Sequence, residues 1–296
     1  MEAPEFPGTA VPDRSLTYES MGLRLHALEW GSIDSPPLVL CHGMWDHARS
    51  FATVAPFLSR CYRVIALDGR GHGDSQWADA YNWMACVSDI IHLIRSLESP
   101  IFLIGHSMGG GQATDAARAV PDRVKKLVNI DGFGPPPMPA GTPSIPVRFS
   151  EFLDFRRRIT KHPTWRPYRS LDELAERRHA QNPRLSLEWL RYFSYHGGRL
   201  SDEGWIWKSD PQMAQGMGPW VPEWIAPSYR TLRMPVLAIT GSEPDTWGPL
   251  PESILAERLS NIPQLERCTI KGAGHFVHIE KPADTAQVIL DFLGSA

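Results

Sequence analysis

The residues with the most chemical potential in this 296-residue sequence are one serine, several histidines and a few carboxylates, and they fall in clusters. Ser107 stands in Gly105-His106-Ser107-Met108-Gly109. A serine hydroxyl attacks only when a base takes its proton, and it must project clear of the backbone. Glycines two residues before and after it permit the sharp, sterically strained turn that does this. His275 and His278 follow Gly272-Ala273-Gly274 late in the chain, and an imidazole, titrating near neutrality, can accept and return such a proton. A second cluster, His42, Asp46 and His47, has the outline of a binuclear metal motif H-x-H-x-D-H. Its middle position is Met44, a poor ligand for a hard or borderline cation. A metal mechanism would also leave the serine turn without purpose, so no metal and no cofactor are expected. A third cluster runs from Asp68 to Ser75 and holds Asp68, Arg70, His72 and Asp74 among glycines at 69, 71 and 73. It reads as a tightly turned loop with no catalytic role, His72 being hydrogen-bonded within it.

The flanking patterns indicate what positions these groups. Leu38–Cys41, Val64–Leu67, Ile101–Ile104, Val124–Ile130 and Val236–Ile239 are short, continuous apolar runs, as expected of strands buried on both faces of a parallel sheet. Two alternating stretches about Met21-Gly22, within Leu16–Trp30, predict a hairpin. Trp83, Val87, Ile90, Ile91, Ile94 and Leu97 recur at helical spacing, giving one stripe to pack on a sheet. The alternation predicts a doubly wound α/β fold with a mostly parallel sheet. The serine turn joins the strand at Ile101 to a small-residue helix, whose N-terminal N–H groups and dipole suit a developing oxyanion. From 133 to 230 the strand pattern stops. Pro135-Pro136-Pro137 opens this stretch, Leu171–Ala180 and Leu185–Tyr195 read as helices, and six of the eleven tryptophans (165, 189, 205, 207, 220 and 224) lie in it. It is expected to be a helical lid inserted into a core of residues 1–132 and 231–296. The tryptophans either form an apolar roof over the site or fasten the lid helices to the sheet, and Arg156-Arg157-Arg158 reads as a solvated helix face or a carboxylate-binding rim.

Composition narrows the classes. Thirty Lys+Arg against 33 Asp+Glu, a net charge of −3 and 42% hydrophobic residues give no basic footprint for nucleic acid or an anionic membrane. No apolar run approaches the roughly 20 residues that span a bilayer. The N-terminal stretch lacks the basic-then-apolar layout of a secretory signal. Cys41, Cys61, Cys86 and Cys268 form no CxxC pair, so they read as free thiols in a reducing compartment. A soluble, cytoplasmic protein acting on a small molecule is expected.

Four segments in this order carry a resemblance to a known family: His42-Gly43-Met44-Trp45, Asp68 to Ser75, the Ser107 pentapeptide, and Gly272-Ala273-Gly274-His275-Phe276. The chain resembles serine hydrolases of the α/β-hydrolase fold, in the lid-bearing, esterase-like branch. The resemblance implies Ser107 as nucleophile, His275 rather than His278 as base, and the backbone N–H groups of Met44 and Met108 as the oxyanion hole, with Trp45 lining the substrate pocket. It places the acid in the turn after the penultimate strand, three residues past Gly241. That position is Pro244, a departure from the pattern. Asp245 is the first choice for the acid, Asp131, after the Val124–Ile130 strand, the alternative, and Glu243 the third. The implied activity is hydrolysis of small to medium, largely apolar carboxylic esters through an acyl-enzyme (EC 3.1.1.-). Carbon–carbon hydrolysis, lactone opening and perhydrolysis are alternatives on the same groups, and a non-catalytic ligand-binding protein on this fold is the alternative of another class.

Overall fold

Side chains alternate between the faces of a strand, so a strand covered on both sides must be apolar at every position. Leu38 and Leu40 join the core on one face of the sheet, while Val39 and Cys41 join the core on the other. The computed structural model describes residues 2–136, 145–161, 164–217 and 222–294; Pro137 and Trp220 lie outside the described residues. Its strands are β1 (Arg14–Ser20), β2 (Leu23–Trp30), β3 (Pro37–Cys41), β4 (Arg63–Leu67), β5 (Ile101–His106), β6 (Val124–Ile130), β7 (Gly198–Ser201), β8 (Gly204–Trp207), β9 (Val236–Gly241) and β10 (Leu265–Ile270). Its helices are α1 (Ala55–Leu58), α2 (Trp83–Ser96), α3 (Met108–Ala119), α4 (Ile145–Lys161), α5 (Leu171–His179), α6 (Leu187–Gly197), α7 (Ile225–Tyr229), α8 (Glu252–Leu259), α9 (Val277–Glu280) and α10 (Pro282–Gly294).

Eight strands form one sheet in the order β1-β2-β4-β3-β5-β6-β9-β10. β1 and β2 form the expected antiparallel hairpin, and β2 is antiparallel to β4. Met21 and Gly22 both have positive φ (49° and 77°), as the tight turn matched to strand twist demands. From β4 to β10 every neighbouring pair is parallel. α2, α3 and α8 cover one face, and α10 with α6 covers the other.

Between β6 and β9 the chain leaves the sheet for α4, α5, α6, the β7–β8 hairpin and α7. The hairpin departs from the helical expectation for this stretch. Its strands have four residues each, too few for a period to register. Trp189, Leu190 and Phe193 of α6 enter the core on the α10 face of the sheet. Where the stretch begins, Arg258 of α8 donates to the carbonyls of Phe133 (2.5 Å) and Pro135 (2.6 Å).

Candidate active site

The sheet delivers the chemistry-bearing residues at the C-terminal ends of its parallel strands. Ser107 sits between β5 and α3 with φ 53° and ψ −121°, a conformation that costs a non-glycine residue of order 1–3 kcal/mol. Its neighbours explain the glycines: a Cβ at Gly105 would strike the Gly109 backbone, and one at Gly109 would strike the carbonyls of Cys41 and His42. The turn is held by Ser107 N–H to Ile130 O (2.9 Å) and by Gly110 N–H to Ser107 O (2.9 Å). Ser107 stays half-buried. Of the four non-glycine residues with positive φ among the described residues, three are Trp45, Ser107 and Asp131, and such strain collects where function over-determines the backbone.

His275 lies on the loop after β10, 3% exposed. Its Nδ1 is 2.6 Å from Asp131 Oδ2. A carboxylate accepts, so Nδ1 carries the proton and Nε2 is left with a lone pair. The loop docks beside the serine turn, because His106 Nε2 donates to the His275 carbonyl at 3.0 Å. Asp245 meets the same histidine differently: its Oδ2 accepts the His275 backbone N–H (3.0 Å) and its Oδ1 the Thr246 N–H (2.6 Å). The expectation that Asp245 faces the ring is therefore corrected. The lengthened turn after β9 carries that carboxylate past the imidazole to the backbone, and Asp131, the alternative, occupies the ring position. Glu243 accepts from the Ser242 hydroxyl instead (2.8 Å). His278 is wholly buried and neither ring nitrogen has a partner among the described residues. Burial, and then the neighbouring His275, push its pKa down to about 3.

The segment after β3 lies against the serine turn, since a Cβ on Gly43 would sit 3.2 Å from Ser107 Cβ. Met44 and Met108 pack in one cluster with Trp45, Cys86, Met213 and Met217. Met108 is the first residue of α3, where a backbone N–H has no intrahelical acceptor. Trp45 meets Trp165 edge-on with ring centroids 5.5 Å apart. Both line a cavity of about 220 Å³ together with Trp207, Trp247, Gln181 and Arg178. Trp189 and Trp205 serve packing instead, in the sheet core and against Leu171 and Leu174, and Trp224 is exposed. Trp247 and Arg178 were not singled out by the sequence. Arg178 follows Arg177 on a charged helix and has no local signature of burial.

The Asp68 loop is structural. Asp68 accepts from His26 Nδ1 (2.8 Å), Ala48 N–H (2.7 Å) and Asp74 N–H (3.0 Å). Burial raises its pKa, but the His26 hydrogen bond and charge outweigh this and hold it well below the usual carboxylate range. Arg70 forms a two-pronged pair with Asp89 (2.6 and 2.7 Å). His72 is bonded to the Arg70 carbonyl, and burial takes its pKa to about 3.

The metal-like trio does not assemble. His42 spends both nitrogens on Gly43 O and Gly69 N–H, and His47 spends both on Phe193 O and Arg49 N–H. Asp46 instead meets His106 and His278, with one donor atom from each within 4.8 Å and all three residues buried. The buried Arg178 cation acts electrostatically on Asp46, which opposes a second positive charge there. The donor atoms Asp46 Oδ2, His106 Nδ1 and the two His278 nitrogens are buried without partners among the described residues.

No helix among the described residues is long and apolar enough to cross a membrane. Residues 38–288 match the model of the alpha/beta hydrolase family. A stretch of 112 residues is 38% identical to the sn-1-specific diacylglycerol lipase ABHD11 of Xenopus laevis, covering 37% of this chain and 36% of that protein. The chain thus spans little more than a third of that lipase's length. A serine hydrolase-like protein of Dictyostelium discoideum is 25% identical over 301 residues, covering 92% of this chain and 79% of its own. The thioesterase domain from the curacin biosynthetic pathway superposes with a TM-score of 0.83 at 24% identity, over 94% of this chain and 99% of that one. With an eight-stranded sheet of this order and a family match over most of its length, the chain belongs to the alpha/beta hydrolase family and has esterase- and lipase-like relatives.

Proposed function

We propose that this protein is a serine hydrolase that cleaves carboxylic esters through an acyl-enzyme. The reading is carried by the 2.6 Å bond between His275 Nδ1 and Asp131, on a loop tied to the residue before Ser107. It leaves Nε2 as the base. Ser107 Oγ attacks the ester carbonyl carbon as its proton passes to His275 Nε2. The tetrahedral oxyanion is held by the Met44 and Met108 N–H groups, each donor of this kind being worth ~3 kcal/mol. Collapse breaks the acyl–oxygen bond, and the imidazolium returns the proton to the departing alkoxide. Water then attacks the acyl-Ser107 ester with His275 again as base, releasing the carboxylic acid and the free serine. The net reaction is ester plus water to acid plus alcohol. Asp131 holds the ring and its tautomer.

Residues 133–230 act as the lid in this reading, with Trp165 and Trp207 contributing to the cavity beside Trp45. All four cysteines are free, two of them buried, which supports a reducing compartment such as the cytoplasm. The test is a fluorophosphonate probe together with hydrolysis of 4-nitrophenyl butyrate. Wild-type protein labels at Ser107 and turns over. Ser107→Ala folds with unchanged circular dichroism, does not label, and loses about four orders of magnitude or more in kcat. Turnover retained in Ser107→Ala overturns the proposal.

A further inference from the structure

Arg178, in the last turn of α5, is 7% exposed. Its guanidinium carbon lies 5.3 Å over the Phe193 ring, and its Nε has no hydrogen-bond partner. Among the described residues no ion pair reaches the guanidinium. A buried cation without hydrogen bonds is costly, and buried arginines are normally paired. The opposite charge that acts on Arg178 is Asp46, through space only. Asp46 gives one oxygen to the His47 N–H and leaves the other without a partner, and burial pushes its pKa up, toward the neutral form. Among the described residues no hydrogen bond or ion pair is made to the guanidinium, and Asp46 acts on it through space only.

The same side chain lines the 220 Å³ cavity. Two of its lining residues are chain neighbours of candidate-site segments. Trp45 follows Met44 directly, and Trp247 precedes Gly248, where an added Cβ would strike the Asp131 carboxylate and stand 3.1 Å from His275 Nδ1. Tryptophan walls supply apolar area that favours a compact organic group. A guanidinium presents parallel N–H donors that match the two oxygens of a carboxylate. The volume is below the roughly 300–1,000 Å³ of drug-sized ligand sites, which limits the occupant to a short acid.

We infer that Arg178 is a substrate-binding residue and that the preferred esters of this protein carry a carboxylate, seated against the guanidinium in the tryptophan-walled cavity. The inference rests on the serine-hydrolase reading above and names its substrate class.

Two pairs of substrates test it, one for each half of the ester. 4-Nitrophenyl hemiglutarate is compared with its methyl-capped diester, and 4-acetoxybenzoate with its methyl ester. Wild-type protein is expected to prefer the charged member of at least one pair. Arg178→Met then lowers kcat/KM for that member roughly 10- to 100-fold, mainly through KM, and changes the neutral member by less than about 3-fold. Arg178→Lys retains part of the preference. A purely structural role for Arg178 would lower both members alike, and that result, or equal rates for charged and neutral members in both pairs, overturns the inference. Calorimetry on Ser107→Ala with free glutarate reads binding without turnover: glutarate binds and its dimethyl ester does not. Absence of serine labelling alongside intact glutarate binding would sink the hydrolase reading and leave the anion site standing, so the two failures are distinguishable. Should Arg178→Met not fold, the wild-type comparison and the glutarate measurement decide by themselves.

Discussion

His275 and Asp131, 144 residues apart in the chain, are joined by a 2.6 Å bond between ring nitrogen and carboxylate, while Asp245 holds the backbone N–H of the same histidine at 3.0 Å. Two carboxylates from different loops thus divide the fixing of one residue. Asp131 sets the orientation and tautomer of the ring. Asp245 sets the path of the loop that carries it.

The division predicts unequal losses. Asp131→Asn replaces an acceptor with a group that can present N–H to Nδ1 and favour the wrong tautomer, and kcat on 4-nitrophenyl butyrate is expected to fall by about 10³–10⁴. Asp245→Asn keeps a side-chain oxygen for the backbone N–H, and kcat is expected to fall less than about 10-fold, a gap well beyond loop effects. The reverse order in steady-state rates would return the ring role to Asp245.

Gly248 provides a steric probe of the same pair. A methyl group there meets the Asp131 carboxylate and stands 3.1 Å from His275 Nδ1. Gly248→Ala is expected to spread the two groups and lower kcat about 100-fold, the scale of an ångström-sized misplacement. Gly294→Ala, where nothing lies within 4 Å of the added carbon, leaves kcat unchanged. Equal rates in the two variants would mean that the Asp131–His275 contact does not limit turnover.

Arg70 and Asp89 tie the Asp68 loop to α2, with side chains only 6% and 2% exposed. Removing one partner leaves an uncompensated buried charge, so Asp89→Ala is expected to lower unfolding free energy by about 3–5 kcal/mol in urea titration. Arg70→Met with Asp89→Leu removes both charges and recovers most of that loss. A single variant within about 0.5 kcal/mol of wild type would show the pair to be dispensable.

How much of this was legible in the sequence depended on how local the physics is. Leu38–Cys41 and Ile101–Ile104 announce themselves because strands covered on both faces tolerate no polar position, and Met21-Gly22 because its turn needs two positive φ values. Ser107 was readable because strand, glycines and helix are contiguous. The carboxylate on His275 was not, since Asp131 and Asp245 both lie in turns that follow neighbouring strands, and the path of the 242–248 turn decides which meets the ring. Asp46, His106 and His278 come together from three segments that no spacing links. Arg178 looks like any arginine on a charged helix, and its burial depends on the way α6 brings Phe193 beneath it.

The buried histidines make stability depend on acidity. Burial dominates at each: the pKa values of His72, His278 and the half-buried His196 fall to about 3, and those of His47 and His106 fall well below the usual range. In the unfolded chain these groups take up protons near pH 6.5. Between pH 6.5 and about 3 the unfolded state therefore binds more protons, and stability falls as pH falls, by up to ~1.4 kcal/mol per pH unit for each group. His26 works the other way. Burial alone would lower its pKa, but the Asp68 hydrogen bond and charge outweigh burial and raise it, so its contribution is complete below pH 6.5 and is lost as pH rises through its folded value. Five histidines against one give a net loss on acidification. Urea midpoints are expected to drop steeply between pH 6.5 and 4.5, and His278→Gln, which removes one of the five, should flatten the slope by about one proton. A midpoint independent of pH over that range would mean that these imidazoles ionise in place, with water reaching the cluster beneath Ser107.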